Sequence, residues 1–131
     1  MKYFDWPVRI YYEDTDAGGV VYHARYLAFY ERARTEMLRQ KNISQHELLQ
    51  QGIAFVVKKM SIDYIYPAKL DDHLIVQSVI EDIRKASITF KQQIVNSEGR
   101  IYNKSEVLIA CVDINKMKPS AIPSLFFSEF C

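Results

Sequence analysis

The sequence predicts an α+β domain in which an antiparallel sheet of about five strands packs against one long helix. Two patterns support this fold class. Apolar residues recur at helical spacing over one long stretch, from residue 26, and after residue 52 they alternate with polar residues, as is typical of strands. A length of 131 residues and an apolar fraction of 49% suit a single domain over residues 1–131 with one core.

The first half of the chain predicts one strand and two helices. Alternation in the segment WPVRIYY, residues 6–12, predicts a short first strand. The long helix, about 15 residues or roughly 22 Å, carries apolar residues at steps of three and four: Tyr26, Phe29, Tyr30, Ala33 and Met37. A short second helix is predicted where Ser44 and Glu47 form a capping box and Gly52 provides the stop.

The second half of the chain predicts four more strands. Their patterns cover residues 53–68, 73–85, 86–95 and 100–114, and we expect them to form a meander in chain order. Residues 123–130 are expected to form a short helix. Because a lone sheet of this kind leaves an edge unpaired, a dimer is the smallest assembly that we expect.

Composition excludes several classes of protein. The 17 basic residues nearly balance the 16 acidic residues, so there is no overall positive charge of the kind that binds nucleic acid or a membrane surface. Cys111 and Cys131 lack the spacing of a metal site, and we expect a buried thiol and a tail thiol in a reducing compartment. With no signal peptide and no apolar run of about 20 residues, the protein is expected to be cytoplasmic.

The segment EDTDAGG, residues 13–19, holds three carboxylates and two glycines directly before the long helix. A calcium loop starting at Asp14 would need glutamate where Arg25 stands, and a phosphate-binding loop would need a lysine, so both are rejected. Two interpretations remain. The acidic residues complement the helix dipole, or one carboxylate attacks a carbonyl carbon or activates water while helix N–H groups stabilise the oxyanion.

Residues 14–27, DTDAGGVVYHARYL, resemble the signature of the 4-hydroxybenzoyl-CoA thioesterase family, with Asp16 and Gly19 as its anchors. Residues 6–38, 54–60 and 114–123 extend the resemblance to the YbgC type of bacterial acyl-CoA thioesterase, which is encoded beside the Tol-Pal envelope system. The resemblance implies a hotdog fold, in which the sheet wraps around the helix. It also implies acyl-CoA hydrolysis without a metal or other cofactor, by a dimer or tetramer.

The resemblance also implies roles for individual residues. Asp16 would be the nucleophile or the general base, and Gly19 would let the backbone approach the thioester closely. The backbone N–H of His23, in the first helical turn, would donate to the oxyanion, and its imidazole as general base stays open as an alternative. The residues expected to contact the acyl part of the substrate are Gly19, Val20, Tyr22 and His23.

Cations at strands or turns are candidates for binding the phosphates of CoA, with a merely solvated surface as the alternative. These candidates are Lys58, Lys59, Arg84, Lys85 and the neighbouring Ser87. The acyl group stays open among short aliphatic, long aliphatic and aromatic classes, and acyl-carrier protein stays open as the donor. A related dehydratase is disfavoured because its H-F-P-x-x-P-x-x-P-G motif is absent, whereas a non-catalytic acyl-binding or scaffolding module of the Tol-Pal system stays open.

Overall fold

The computed structural model describes residues 2–130, so the predicted tail thiol of Cys131 lies outside the described residues. These residues form six strands, three α-helices and one short 3-10 turn. In chain order these are β1 (Phe4–Arg9), the 3-10 turn (Tyr12–Asp14), α1 (Arg25–Gln40), α2 (Gln45–Gln50), β2 (Ile53–Tyr64), β3 (His73–Ile83), β4 (Ser87–Val95), β5 (Ile101–Asp113), β6 (Lys118–Pro119) and α3 (Ser124–Phe130).

The strands form one antiparallel sheet in the order β1-β3-β4-β5-β2, with the two-residue β6 also paired to β5. The predicted meander is correct for β3, β4 and β5 but wrong for β2, which pairs with β5 and places Phe55 opposite Cys111. The N-terminal strand β1 occupies the edge beside β3 instead, with Trp6 opposite Val76. Residues 65–72 therefore cross the sheet from β2, at one edge, to β3, which lies next to the opposite edge strand.

The long helix α1 packs against the concave face of the sheet. Its fully buried residues Tyr30 and Ala33 face the sheet, where Val76 and Val107 are also fully buried. Burial of large apolar side chains of this kind stabilises the fold by roughly 1.5–3 kcal/mol each. The helix confirms the predicted amphipathic pattern and begins at Arg25, with Ala24 as its N-cap.

The second helix and the C-terminal helix also form where the sequence predicts them. The Oγ atom of Ser44 accepts a hydrogen bond from the Glu47 N–H at 3.3 Å, which confirms Ser44 as the N-cap of α2, the first half of the predicted capping box. Gly52 ends this region with a φ of +82°, a left-handed conformation that glycine adopts readily. None of the helices in residues 2–130 has both the length and the apolar character that a membrane-spanning helix needs.

Polar side chains are buried between α1 and the sheet, which the sequence patterns do not predict. The Gln92 amide donates hydrogen bonds to the Tyr30 carbonyl oxygen at 3.0 Å and to Ser78 Oγ at 2.9 Å. The Tyr30 hydroxyl donates to Asn103 Oδ1 at 2.7 Å, and burial raises the pKa of Tyr30 above its ordinary value. Because buried polar groups need matched partners, this network fixes the position of α1 over the sheet.

Candidate active site

The loop between β1 and α1 is a compact hairpin docked on the crossing segment. The Asp16 N–H donates to the Val20 carbonyl oxygen at 2.9 Å, and Thr15 pairs with Val21. The Val21 N–H donates to the Ala68 carbonyl oxygen at 2.9 Å, while Val20 pairs with Lys69. The loop tip, residues 16–19, is therefore held by backbone hydrogen bonds on both sides.

Asp16 is exposed at this tip and makes one side-chain hydrogen bond. Its Oδ1 atom accepts the Gly18 N–H at 2.8 Å, the Asx-turn geometry that aspartate favours in loops. A Cβ atom at Gly18 would lie 3.1 Å from Oδ1, so Gly18 allows the close approach to Asp16. Sequence reasoning overlooked Gly18, although its position two residues after an aspartate is a signal for such a turn.

The backbone conformation at position 19 favours glycine. Its φ is +80°, where any residue with a Cβ is strained. Within the part of the chain that the structure describes, and apart from Gly19 and its two chain neighbours, no heavy atom lies within 4 Å of a Cβ built at Gly19. The surface at Gly19 is therefore open to a bound molecule.

His23 lies just before the helix, two residues ahead of Arg25, and not in its first turn as the resemblance implied. The reason is a tight turn in which the Arg25 N–H donates to the Tyr22 carbonyl oxygen at 2.8 Å, which delays the helix. The His23 carbonyl oxygen accepts the Tyr64 hydroxyl at 2.9 Å. The backbone N–H of His23 makes no hydrogen bond to any of residues 2–130, so this donor is available. The His23 and Tyr22 rings are exposed, with centroids 4.5 Å apart.

Asp14, two residues before Asp16, has a different environment. It is 3% exposed, and its carboxylate accepts the Arg25 Nε–H at 2.6 Å and the Tyr11 N–H at 2.8 Å. Its carbonyl oxygen accepts the Tyr22 N–H at 2.9 Å. Asp14 therefore joins the end of β1 to the start of α1. The helix-dipole interpretation is wrong for Asp14, because its carboxylate bonds the Arg25 side chain and the Tyr11 N–H and no acidic residue lies in the first turn of α1. Asp14 is a structural residue, and the Asp16 carboxylate lies outside this network.

The candidate phosphate-binding residues form two exposed groups. Lys58 and Lys59 lie on β2 at a break in its register with β5, which follows Val57. Arg84 and Lys85 lie in the β3–β4 turn, which is closed by a hydrogen bond from the Arg84 N–H to the Ser87 carbonyl oxygen at 2.8 Å. Arg84 also forms an exposed ion pair with Asp82 at 2.9 Å.

Within one chain the structure does not bring the β3–β4 turn to Asp16. The Asp16 loop docks on residues 68–72, directly before the first residue of β3. Arg84 directly follows the last residue of this strand of 11 residues. At about 3.3 Å per residue, roughly 35 Å separates the two ends of the strand.

Similarity to known proteins decides the family. Residues 10–130 match the family model of the Thioesterase-like superfamily. The chain is 58% identical over 127 residues to the acyl-CoA thioester hydrolase YbgC of Escherichia coli O6:H1, covering 97% of this chain and 95% of that protein. The chain belongs to the YbgC family of thioesterases. It is also 54% identical to the acyl-CoA thioesterase YbgC of Haemophilus influenzae, over 92% of this chain and 88% of that protein.

Solved structures agree with this family assignment. A probable thioesterase from Bartonella henselae is 35% identical, with a TM-score of 0.86, and the match covers 93% of this chain and all of that chain. A 1,4-dihydroxy-2-naphthoyl-CoA thioesterase from Synechocystis superposes with a TM-score of 0.92 at 23% identity, over 99% and 96% of the two chains, and this match concerns the fold alone. The predicted hotdog fold and thioesterase class are confirmed, and the Tol-Pal scaffolding alternative receives no support.

For a member of the YbgC family, the loop has the parts that thioester hydrolysis needs. An exposed carboxylate at Asp16 can act on a carbonyl carbon, and the N–H of His23 can donate to the carbonyl oxygen as negative charge develops there. The peptide plane of this N–H is held at its other side, because the Tyr22 carbonyl oxygen in the same plane accepts the Arg25 N–H at 2.8 Å. The donor is therefore fixed in direction before substrate binds.

Proposed function

We propose that this protein hydrolyses the thioester bond of acyl-CoA and that Asp16 carries the chemistry. One observation supports this most strongly. Of the two aspartates in the loop, Asp14 is buried and ion-paired with Arg25, whereas Asp16 is exposed and its carboxylate accepts one hydrogen bond, from the Gly18 N–H. A carboxylate kept out of the structural network, in the same loop as the available His23 N–H, suits catalysis.

The proposed chemistry has two routes to the same products. In the first, the Asp16 carboxylate attacks the thioester carbon, the C–S bond breaks, and the CoA thiolate takes a proton from water. A second water then hydrolyses the acyl–aspartyl anhydride. In the second route, Asp16 accepts a proton from water, the resulting hydroxide attacks, and the proton returns to the departing sulfur. In both, the His23 N–H stabilises the oxyanion, and no metal or prosthetic group takes part.

We further propose that two copies pair through β2. This 12-residue strand lies at an edge of the sheet and exposes Val56 and Val57. The opposite edge, β1, has six residues and contains Pro7, which weakens strand pairing. An open edge of this kind is stabilised by pairing with a second copy. Either a dimer or a tetramer built from such dimers fits this proposal.

In the proposed dimer, the cations of the β3–β4 turn can bind phosphate near the Asp16 loop of the other copy. Ala110 on β5 pairs with Val56 near the start of β2 and with Ser87 after the β3–β4 turn, so both lie at one end of the sheet. When two β2 strands pair antiparallel about their middles, the start of one lies beside the end of the other. The β3–β4 turn of one copy then lies at the same end of the joint sheet as Asp16 of the other. This supports phosphate binding by Arg84, Lys85 and Ser87, with Lys58 and Lys59 near the two-fold axis.

The donor and the compartment are also proposed. CoA is the favoured donor because exposed cations suit its phosphates, and acyl-carrier protein is the alternative. Cys111 is fully buried as a free thiol, and burial raises its pKa above the ordinary value. A free thiol of this kind fits the reducing cytoplasm.

Substitution of Asp16 by asparagine tests the proposed chemistry. Asparagine can still accept the Gly18 N–H, so the loop and the melting temperature should be preserved. The kcat for acetyl-, octanoyl- and benzoyl-CoA, followed by thiol release, should fall by on the order of 100-fold or more for whichever thioesters the protein hydrolyses.

The matched control is Glu13→Gln, which removes one negative charge from the same loop. Glu13 is largely exposed and lies 3.8 Å from Arg25 in a loose ion pair, so its loss should leave kcat nearly unchanged. Full activity in Asp16→Asn, with the fold confirmed by circular dichroism, would overturn the proposed role of Asp16.

A further inference from the structure

A cavity of about 220 Å³ lies between the three helices and the sheet, away from the catalytic loop of the same chain. Its walls are mainly apolar and include Leu38, Leu49, Ile53, Phe55, Phe90 and Phe126. Since an apolar cavity of about 150 Å³ can hold benzene, this one has room for roughly nine heavy atoms. Arg34 also lines the cavity. It follows His23 by 11 residues, which at the rise of an α-helix corresponds to roughly 16 Å along the helix axis.

Arg34 is an unusual component of such a wall. The residue is 8% exposed, and one guanidinium nitrogen donates to Gln92 Oε1 at 3.0 Å. Its guanidinium carbon lies 5.9 Å from the centroid of the Phe90 ring. Among residues 2–130, no carboxylate oxygen forms an ion pair with it within 4 Å. Burial lowers the pKa of Arg34, because desolvation disfavours the charged form, yet an arginine remains charged near neutral pH.

We propose that this cavity binds an apolar carboxylic acid of about eight carbons, with the Arg34 guanidinium holding the carboxylate. A guanidinium matches the two oxygens of a carboxylate, and the charge pair is stronger in a water-poor cavity. The apolar walls accommodate the hydrocarbon chain. Burying a cation without an ion-pair partner is costly, and such a ligand supplies the missing negative charge.

The ligand class is the one that thioester hydrolysis releases. A free monocarboxylic acid is therefore one source of the carboxylate, and an acyl-CoA with a second carboxylate at its far end is the other. The proposal does not rest on the role of Asp16, because binding to the cavity is measurable without turnover.

Glu31 allows a second test of the proposal, in which the expected change in affinity has the opposite sign. It is exposed, lies three residues before Arg34 on α1 and also lines the cavity. Its negative charge raises the pKa of Arg34 but would repel a bound carboxylate. Among the described lining residues, Glu31 and Arg34 are the two with charged side chains. Loss of one charge should weaken binding, and loss of the other should strengthen it.

The test is calorimetric titration of the full-length protein with octanoate and, as an uncharged analogue, octan-1-ol. Octanoate should bind at one site per chain, at least 10-fold more tightly than the alcohol. Arg34→Met, which keeps an unbranched apolar stem, should lose at least 10-fold in octanoate affinity, and Glu31→Gln should gain severalfold. Arg32→Met removes an exposed cation from the same helix and should change neither affinity.

Kinetics with suberoyl-CoA and octanoyl-CoA distinguish the two sources. If the far carboxylate of a substrate occupies the cavity, Arg34→Met lowers kcat/KM for suberoyl-CoA alone. If a free acid is the ligand, the variant loses octanoate affinity while the ratio of the two kcat/KM values stays constant. Absent octanoate binding, equal affinity for octanoate and octanol, unchanged octanoate affinity in Arg34→Met, or no gain in Glu31→Gln would each overturn the proposal. Because replacing a buried charge by methionine is often tolerated, we expect this variant to fold.

Discussion

The two ends of the sheet hold their charged residues in different ways. At the loop end, the buried Asp14 is locked between Arg25 and the Tyr11 N–H. At the turn end, Arg84 pairs with Asp82 on the surface, where the side chains are 79% and 49% exposed. The loop end is therefore held by a buried ion pair, whereas the ion pair of the turn end is solvated.

This difference suggests a division of labour. Bond cleavage needs atoms placed within a fraction of an ångström, which the fixed loop around Asp16 and His23 can provide. Binding of a flexible anionic cofactor needs positive charge more than fixed geometry, which exposed cations such as Arg84 and Lys85 can provide. The same chain can satisfy both needs when two copies bring opposite ends together.

Removing the arginine of each ion pair should produce the largest contrast in stability. Arg25→Ala leaves the Asp14 carboxylate buried without its cation, so the free energy of unfolding should fall by about 2–3 kcal/mol. Arg84→Ala breaks an exposed pair and should lower it by less than about 0.5 kcal/mol. Urea denaturation of the two variants gives both values. Equal losses would show that the buried ion pair of the loop end stabilises the fold no more than the exposed pair of the turn end.

A smaller effect is expected on substrate binding. Alanine in place of Lys58, Lys59, Arg84 or Lys85, one at a time, should raise KM for acyl-CoA severalfold in at least one variant, with kcat nearly unchanged. Lys91→Ala provides the control, because Lys91, on β4, forms an ion pair with Glu81 on the neighbouring strand β3 at 3.2 Å. Added salt should reduce the difference, since screening weakens phosphate binding by exposed cations. If KM stays constant in all four variants, the phosphates bind elsewhere.

Local sequence patterns predicted the three helices and five of the strands, but they wrongly extended the first strand to residue 12 and missed both β6 and the partner of β2. Alternation of apolar residues identifies a strand, and consecutive strands are usually neighbours, which is why β2 was expected beside β3. The actual arrangement depends on β1 taking that edge and on residues 65–72 crossing the sheet, contacts that no local pattern encodes.

The candidate site was predictable to a similar degree. The motif identified Asp16 but gave no means of seeing that Asp14 is buried, because that depends on Arg25 and on the backbone of Tyr11. The burial of Arg34 has a clearer signal in the sequence. Arg34 continues a step of four residues from Tyr26 and Tyr30, both of which face the core, so its burial could have been inferred from helical spacing.

Mixed dimers test most directly the central claim that each active site combines Asp16 of one copy with the β3–β4 turn of the other. One chain carries Asp16→Asn, the other carries Arg84→Ala with Lys85→Ala, and two different affinity tags isolate the mixed species. We expect one intact site per dimer, with about half the wild-type kcat and a wild-type KM, although neither parent has both. Activity that retains only the raised KM of the Arg84/Lys85 parent would contradict it, because each site would then draw all its residues from a single chain.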